Sequence, residues 1–358
     1  MSVQNFNAGP AILPASVLAQ VQAELRDYQG RGMSIMEMSH RSKEYEAINT
    51  RAQTTFKKLL GLGDGYKVLF VQGGASTQFA MLPMNFLPAG GVADYVQTGA
   101  WADKAIEEAN LLGKTSIAGS TKATGYKRMP KPDELKRTPG AAYFHLTSNE
   151  TIQGTQFKSF PDVGDTPLVG DMSSDILSGP IDASKFSMIY AGAQKNLGPS
   201  GVVAVILRES WLPQANKNVP TMLKYATHVK NDSLYNTPPS FGVYVLDLVL
   251  QWIDSLGGLP AMAARNGKKA KTLYDVIDQS GGFYRGHAEP EARSTMNVTF
   301  RLPSEDAEKK FVAEAQKAGM VGLAGHRSVG GVRASIYNAL EPAACETLAA
   351  FMKDFAKK

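Results

Sequence analysis

Two short apolar runs, each delivering one polar residue of opposite charge, constrain this chain more than any other feature. Leu168–Asp171 closes on a carboxylate, and Phe186–Tyr190 opens into Ala191-Gly192-Ala193-Gln194-Lys195-Asn196, which presents an amine. Runs of this length suit strands buried on both faces of a parallel sheet. Open α/β sheets place their ligand sites at the carboxyl ends of such strands. A lysine and an aspartate placed there suit pyridoxal phosphate, whose aldehyde joins an amine and whose pyridinium nitrogen is held protonated by a carboxylate. Burial also tunes a lysine into a nucleophile or base. On the pair alone, an ordinary salt bridge between strand ends fits equally well. The small residues around Lys195 tip the balance, because they leave room for a flat ring against the backbone.

The rest of the chain alternates strand and helix. Val17, Leu18, Val21 and Leu25 repeat at helical spacing from Pro14 to about Tyr28, and a helical pattern runs from Lys43 to Leu60, where Gly61 ends it. His40-Arg41 precedes that helix as two cationic donors at a loop tip. Lys67–Val71 is a compact strand running into Gln72-Gly73-Gly74-Ala75-Ser76-Thr77 and then a helical segment, Phe79 to Leu87. Strand, glycine turn and helix N-terminus together form an anion cradle, although neither Walker nor GxGxxG spacing is present. Val92–Val96, Thr115–Ala118, Ala142–Leu146 and Val202–Leu207 read as further strands. Gly198-Pro199-Ser200-Gly201 turns the chain back into the last of them. Trp101 opens a helix directly after Gly99-Ala100, and Thr151 lies in the polar loop after Leu146. This rhythm predicts a mainly parallel sheet with helices on both faces. Lys224–Thr237 is polar enough to predict a surface excursion, stiffened by Pro238-Pro239.

Phe241–Leu256 is an apolar helix ending at Gly257-Gly258, which we take as a unit boundary. Beyond it come helices over roughly 260–279, a half-buried strand at Met296–Leu302, and helices at Glu305–Ala318 and 342–356. Residues 16–257 are thus expected to form a large cofactor-binding unit, and 1–15 with 258–358 a smaller α+β unit. Gly325-His326-Arg327-Ser328-Val329-Gly330-Gly331-Val332-Arg333 places a histidine and two arginines on a glycine-hinged loop, a pattern suited to fork-like recognition of carboxylate or phosphate.

At 358 residues the chain exceeds one compact core. Its N-terminus lacks the basic and apolar regions of a signal peptide, and Val243–Ile253 is too short to span a bilayer. The single cysteine excludes an intrachain disulfide and a multi-thiolate metal site. A cytoplasmic protein is expected, with no metal. The net charge of +5 is scattered among acids rather than gathered in tracts, which disfavours nucleic acid as a partner.

Several stretches together resemble the phosphoserine aminotransferase family of class V pyridoxal-phosphate-dependent aminotransferases. They are Asn7-Ala8-Gly9-Pro10, Ser39-His40-Arg41-Ser42, Gln72-Gly73-Gly74-Ala75-Ser76, Gly99-Ala100-Trp101, Ser148-Asn149-Glu150-Thr151, Asp171-Met172-Ser173-Ser174-Asp175, Ala193-Gln194-Lys195-Asn196, Asn236-Thr237-Pro238-Pro239 and Gly325–Gly331. They follow the family's order over nearly the whole chain. The resemblance implies the fold-type I architecture, with a large sheet of seven-stranded type plus a smaller domain, and a homodimer whose active sites form at the subunit interface. It makes Lys195 the Schiff-base residue and Asp171 the pyridinium partner, with Trp101 stacking on the ring. Ala75, Ser76, Thr151 and Gln194 would touch the cofactor, and Asn236 and Thr237 would reach the phosphate of the neighbouring subunit's cofactor. His40, Arg41, His326, Arg327 and Arg333 would hold the substrate's carboxylate and phosphate, some from across the dimer. Some members carry an arginine after the glycine pair, where this chain has Ala75-Ser76.

The implied reaction moves an amino group reversibly between L-glutamate and 3-phosphonooxypyruvate, giving O-phospho-L-serine and 2-oxoglutarate in serine biosynthesis. A related activity forms 4-phosphohydroxy-L-threonine for pyridoxine biosynthesis. The alternative is another class V aminotransferase acting on a non-phosphorylated keto acid. A class V lyase needs a mobile thiol, and Cys345 sits among alanines in an apparent helix. A basic nucleic-acid-binding protein leaves the Asp171–Lys195 arrangement unexplained.

Overall fold

The computed structural model describes residues 3–357; the outermost ends of the expected smaller unit, residues 1–2 and 358, lie outside the described residues. After β1 (Gln4–Asn5) come α1 (Ala15–Glu24), α2 (Lys43–Leu60), β2 (Tyr66–Gln72), α3 (Ala75–Phe86), β3 (Val92–Gln97), α4 (Ala100–Asn110) and β4 (Lys114–Ser120). Next are β5 (Phe144–Thr147), the short pair β6 (Asn149–Glu150) and β7 (Thr155–Gln156), β8 (Leu168–Asp171), β9 (Met188–Gly192) and β10 (Val202–Arg208). The chain continues through α5 (Tyr225–Lys230), α6 (Ser240–Ser255), α7 (Gly258–Asp278), β11 (Arg285–Gly286), β12 (Asn297–Arg301), α8 (Glu305–Lys317), β13 (Met320–Val321), β14 (Val332–Ser335) and α9 (Pro342–Phe355).

Seven strands form the main sheet in the order β2-β10-β9-β8-β5-β3-β4. Only β10 runs against the rest; it pairs antiparallel with both β9 and β2. The stretch from Ala193 to Gly201 is too short for the helical crossover that a parallel neighbour needs, so the chain returns as an antiparallel strand. The strands are apolar on both faces because both are covered. Val68, Phe70, Leu146 and Ile206 pack into one cluster with α2 and α6, while Leu69, Val71, Val169 and Val205 pack on the other face with α3 and α4. A third cluster joins Phe6 to α7, α8, α9 and the three-stranded sheet β11-β12-β14. Met320 and Val321 pair with Gln4 and Asn5, which seats the N-terminal segment on this smaller unit.

α2 has the bounds its sequence predicts, since the Ser42 side chain accepts the Tyr45 N–H and left-handed Gly61 closes the other end. Elsewhere tertiary contacts override local pattern. α1 ends at Glu24, and Tyr28 enters a separate 3₁₀ turn. α7 is one uninterrupted helix, and Leu259 and Met262 in its first turns pack with the main-sheet cluster. The predicted surface excursion at 224–237 instead contains α5, where Tyr225 and His228 are buried. Tyr225 stacks on Phe86 and donates its hydroxyl to Gln78 Oε1 at 2.7 Å. An aromatic anchor with a satisfied hydroxyl draws this polar stretch inward.

Candidate active site

Because β2, β3, β5, β8 and β9 run parallel, their carboxyl ends lie along one edge of the sheet, and each feeds a functional segment. β2 leads through left-handed Gly73 to α3, whose N-cap Gly74 supplies no side-chain cap. The first N–H groups of α3 therefore point outward at its positive end, beside Ala75 and Ser76. β3 leads to Gly99 and to Trp101 in the first turn of α4. β5 leads to the 148–154 loop with Thr151, β8 ends on Asp171, and β9 leads to Gln194 and Lys195.

These segments enclose a cavity of about 290 Å³ lined by Ala75, Ser76, Trp101, Thr151, Asp171, Gln194, Lys195, His326 and Arg333, with Gly9 and Ser173 among the others. Half-buried Lys195 donates from Nζ to the Thr151 hydroxyl at 2.8 Å, and the amine stands 5.2 Å from the centre of the Trp101 ring. Burial lowers the amine to about 8, against the opposing pull of the Asp171 and Glu150 carboxylates. Burial also raises Asp171, although its carboxylate accepts the Ser173 N–H at 2.9 Å and faces the Lys195 charge. Gly9, at φ 147°, lets the N-terminal segment cross the lysine, where an added Cβ would meet Lys195 Cγ at 3.6 Å.

Nine of the fourteen sequence-predicted site residues thus converge within one chain. His40, Arg41, Asn236, Thr237 and Arg327 do not line this cavity. Arg41, Thr237 and Arg327 are exposed, whereas His40 is buried with its Nε2 unpartnered among the described residues. Arg327 instead lines a groove against α8.

Sequence reasoning gave Glu150 no role. Its buried carboxylate accepts the N–H groups of Trp101 and Ala102, both at 3.1 Å, so it caps α4 from another strand. Gly99 makes room for it, since a Cβ there would stand 2.4 Å from Glu150 Cδ. Burial holds this carboxyl up at about 7. The available signal was the pairing of a side-chain-free N-cap at Gly99 with a carboxylate beside Thr151.

The cavity suits a flat, anionic cofactor. Buried Trp101 Nε1, Gln194 Oε1 and Arg333 Nε have no hydrogen-bond partner among the described residues, and the α3 terminus offers an anion seat. Fold, amine and carboxylate together define a pyridoxal-phosphate-dependent transaminase. The model of the family Aminotransferase class-V matches residues 3–348, and the chain belongs to that family. Within it the chain falls among the phosphoserine aminotransferases. It is 61% identical over 358 residues to the phosphoserine aminotransferase of Herpetosiphon aurantiacus, covering 100% of this chain and 99% of that protein. The solved phosphoserine aminotransferase of Bacillus circulans subsp. alkalophilus superposes with a TM-score of 0.98 at 59% identity, covering 99% of this chain and 98% of that one. The PLP-bound enzyme from Trichomonas vaginalis superposes with a TM-score of 0.93 at 40% identity, covering 98% and 99%.

Proposed function

We propose that this chain transfers the amino group of L-glutamate to 3-phosphonooxypyruvate, reversibly, giving O-phospho-L-serine and 2-oxoglutarate in serine biosynthesis. The observation that carries the reading is the Lys195 amine, pinned to Thr151 in a cavity whose opposite charge is Asp171. Pyridoxal phosphate, when bound, supplies the ring that accepts electron density from the substrate's Cα–H bond. Lys195 would hold it and then, as a free amine, would move the proton between the substrate Cα and the cofactor's C4′ atom. An amine lowered to about 8 gives and takes protons near neutral pH more readily than an ordinary lysine.

Asp171 keeps a fixed negative charge where a protonated ring nitrogen needs one. Trp101 would lie against the ring, and the α3 terminus with Ala75 and Ser76, joined by Gln194, would hold the phosphate. Thr151 orients the Lys195 amine. Arg333 and His326 hold the substrate's anionic groups within the chain. His40, Arg41 and Arg327, with Asn236 and Thr237 at the cofactor phosphate, complete the site in a homodimer. Their position outside the Lys195 cavity of one chain supports a site completed in part by a second copy.

The same pocket serves 4-phosphohydroxy-L-threonine as a second phosphorylated amino acid, for pyridoxine biosynthesis. We place the unit boundary near 257, with 16–257 holding the cofactor and 1–15 plus 258–358 covering the substrate; the separate apolar cluster around Phe6 and α7–α9 supports it. No helix among the described residues is long and apolar enough to cross a membrane. We assign the enzyme to the cytoplasm, in keeping with a lone, buried cysteine.

The test is the visible spectrum of the purified protein before and after glutamate, followed by turnover with phosphorylated and bare keto acids. A glutamate-dependent shift and preference for the phosphorylated acceptor are expected. A colourless protein with Lys195 unmodified after borohydride and added cofactor overturns the reading. Preference for a bare keto acid assigns the chain to another class V aminotransferase.

A further inference from the structure

The glycine-hinged loop that carries His326 and Arg327 is closed on itself. Gly325 N–H donates to Gly331 O at 2.9 Å, and Val329 and Gly330 both donate to His326 O, at 2.9 and 2.8 Å. Ala324 and Val332 bridge at its neck. A Cβ on Gly325 would stand 2.0 Å from Gly330 O, so only glycine fits there. His326 faces the Lys195 cavity, while Arg327 lines the groove of about 660 Å³ against α8. The loop thus presents its two cationic side chains to different sides, and its pivot decides what each can reach.

That pivot is gripped by an ion pair outside the catalytic cavity. Arg301, the last residue of β12, donates from Nε to Glu308 Oε1 at 2.5 Å and from Nη1 to Val329 O at 2.8 Å. Glu308, in the first turns of α8, accepts the Gly331 N–H on Oε2 at 3.1 Å and the Leu302 N–H on Oε1 at 3.2 Å. One buried carboxylate and one guanidinium therefore tie strand, helix and loop base together through four hydrogen bonds. The fit is close: a Cβ on Gly331, which adopts φ 76°, would meet Arg301 Cδ at 2.7 Å and Phe300 O at 2.8 Å. Exposed ion pairs contribute little, but Glu308 keeps only 8% of its side chain exposed and the bonds to loop backbone are charge-assisted.

We propose that the Arg301–Glu308 pair is a positioning clamp that sets the pose of the 325–331 loop, so that His326 and Arg327 meet the acidic substrate without first being ordered by it. The inference rests on the reading of this loop as the holder of the substrate's anionic groups. A loop left free at its base must be ordered on binding, and that entropy comes out of substrate affinity rather than out of the chemical step. Loss of the clamp is therefore a KM effect.

The experiment compares holoenzyme carrying Glu308→Gln, Arg301→Lys or both with wild type. Turnover of the phosphorylated keto acid, amide hydrogen exchange over 325–331, the cofactor spectrum and the thermal midpoint are read for each. Glu308→Gln raises KM by about tenfold with kcat within about twofold, speeds exchange at Val329–Gly331 and leaves the spectrum unchanged. Arg301→Lys, which keeps charge but loses the fork, gives a similar KM, and the double variant is no worse than either single. If Glu308→Gln does not fold, Arg301→Lys carries the same test. Unchanged KM in a wild-type-like folded variant overturns the clamp. Should wild type itself ignore phosphorylated acceptors, the functional reading falls instead, and the clamp is judged on exchange alone, where unchanged protection overturns it.

Discussion

The Glu150 carboxylate accepts the backbone N–H of Trp101 at 3.1 Å across 49 residues of chain, and the next residue, Thr151, accepts the amine of Lys195 at 2.8 Å. One loop therefore fixes both the indole wall and the reactive amine. Glu150→Ala leaves two buried N–H groups without an acceptor, and the expected loss is about 2–4 kcal/mol in a urea titration. The near-ultraviolet circular dichroism of the tryptophans should weaken with it. Glu150→Gln keeps one acceptor oxygen and should lose less. The pH sign follows from burial, which raises the carboxyl from 4.5 to about 7. Between those values the folded chain holds a proton that the unfolded chain has released, so Glu150's stabilising contribution is present at low pH and fades as pH climbs through 7. Stability measured from pH 5 to 8 should fall less steeply in Glu150→Gln than in wild type.

A second prediction concerns Lys195. Its amine is lowered from 10.5 to about 8, chiefly by burial. Capture of pyridoxal phosphate by the cofactor-free protein, trapped with borohydride and mapped to residue 195, should reach half its maximal rate near pH 8. Between 8 and 10.5 the unfolded chain binds the extra proton, so this residue's contribution to stability rises with pH over that window. A capture profile centred near 10.5 would show that the cavity does not desolvate the amine.

Asp171→Asn preserves shape and removes charge. Asp171 is the largest influence opposing burial at Lys195, so without it the lysine should fall further, and its capture profile should move to lower pH than in wild type. The same variant leaves a protonated ring nitrogen without its counter-charge. A fall of about a thousandfold in kcat is expected, about 4 kcal/mol of lost transition-state stabilisation. Retained kcat together with an unmoved profile would place Asp171 outside the site's electrostatics.

What the sequence disclosed of this site follows from range. Asp171 and Lys195 end strands whose apolar runs are local signals, and the helix over Lys43–Leu60 carries its own cap and its own glycine stop. Parallel strands then bring those ends together without further information. Glu150 escaped notice because its partners lie on α4, and nothing within a few residues marks it as buried. Tyr225 was hidden in the same way: it lies in a largely polar stretch, and partners far along the chain, among them Phe86, Gln78 and Asn85, account for its burial. The main-sheet attachment of α7 through Leu259 and Met262 is equally nonlocal. Elements specified by their own residues were legible, and those specified by distant partners were not.

The last prediction tests the shared site directly. His40, Arg41, Asn236 and Thr237 do not line the cavity that holds Lys195 in one chain, and the proposed homodimer would bring them from the second copy. Lys195→Ala and Arg41→Ala should each be inactive or nearly so as homodimers. When the two are unfolded together and reassembled, a mixed dimer carries one site with both lesions and one with neither. Random pairing makes half the dimers mixed, and half of their sites are intact, so about a quarter of wild-type activity should return. Recovery is measured against the separately refolded variants, with dimer content checked by sedimentation. If Arg41 serves the lysine of its own chain, each mixed dimer has two differently damaged sites and no activity returns. The size of the recovery therefore distinguishes a site built across the interface from one contained in a single subunit.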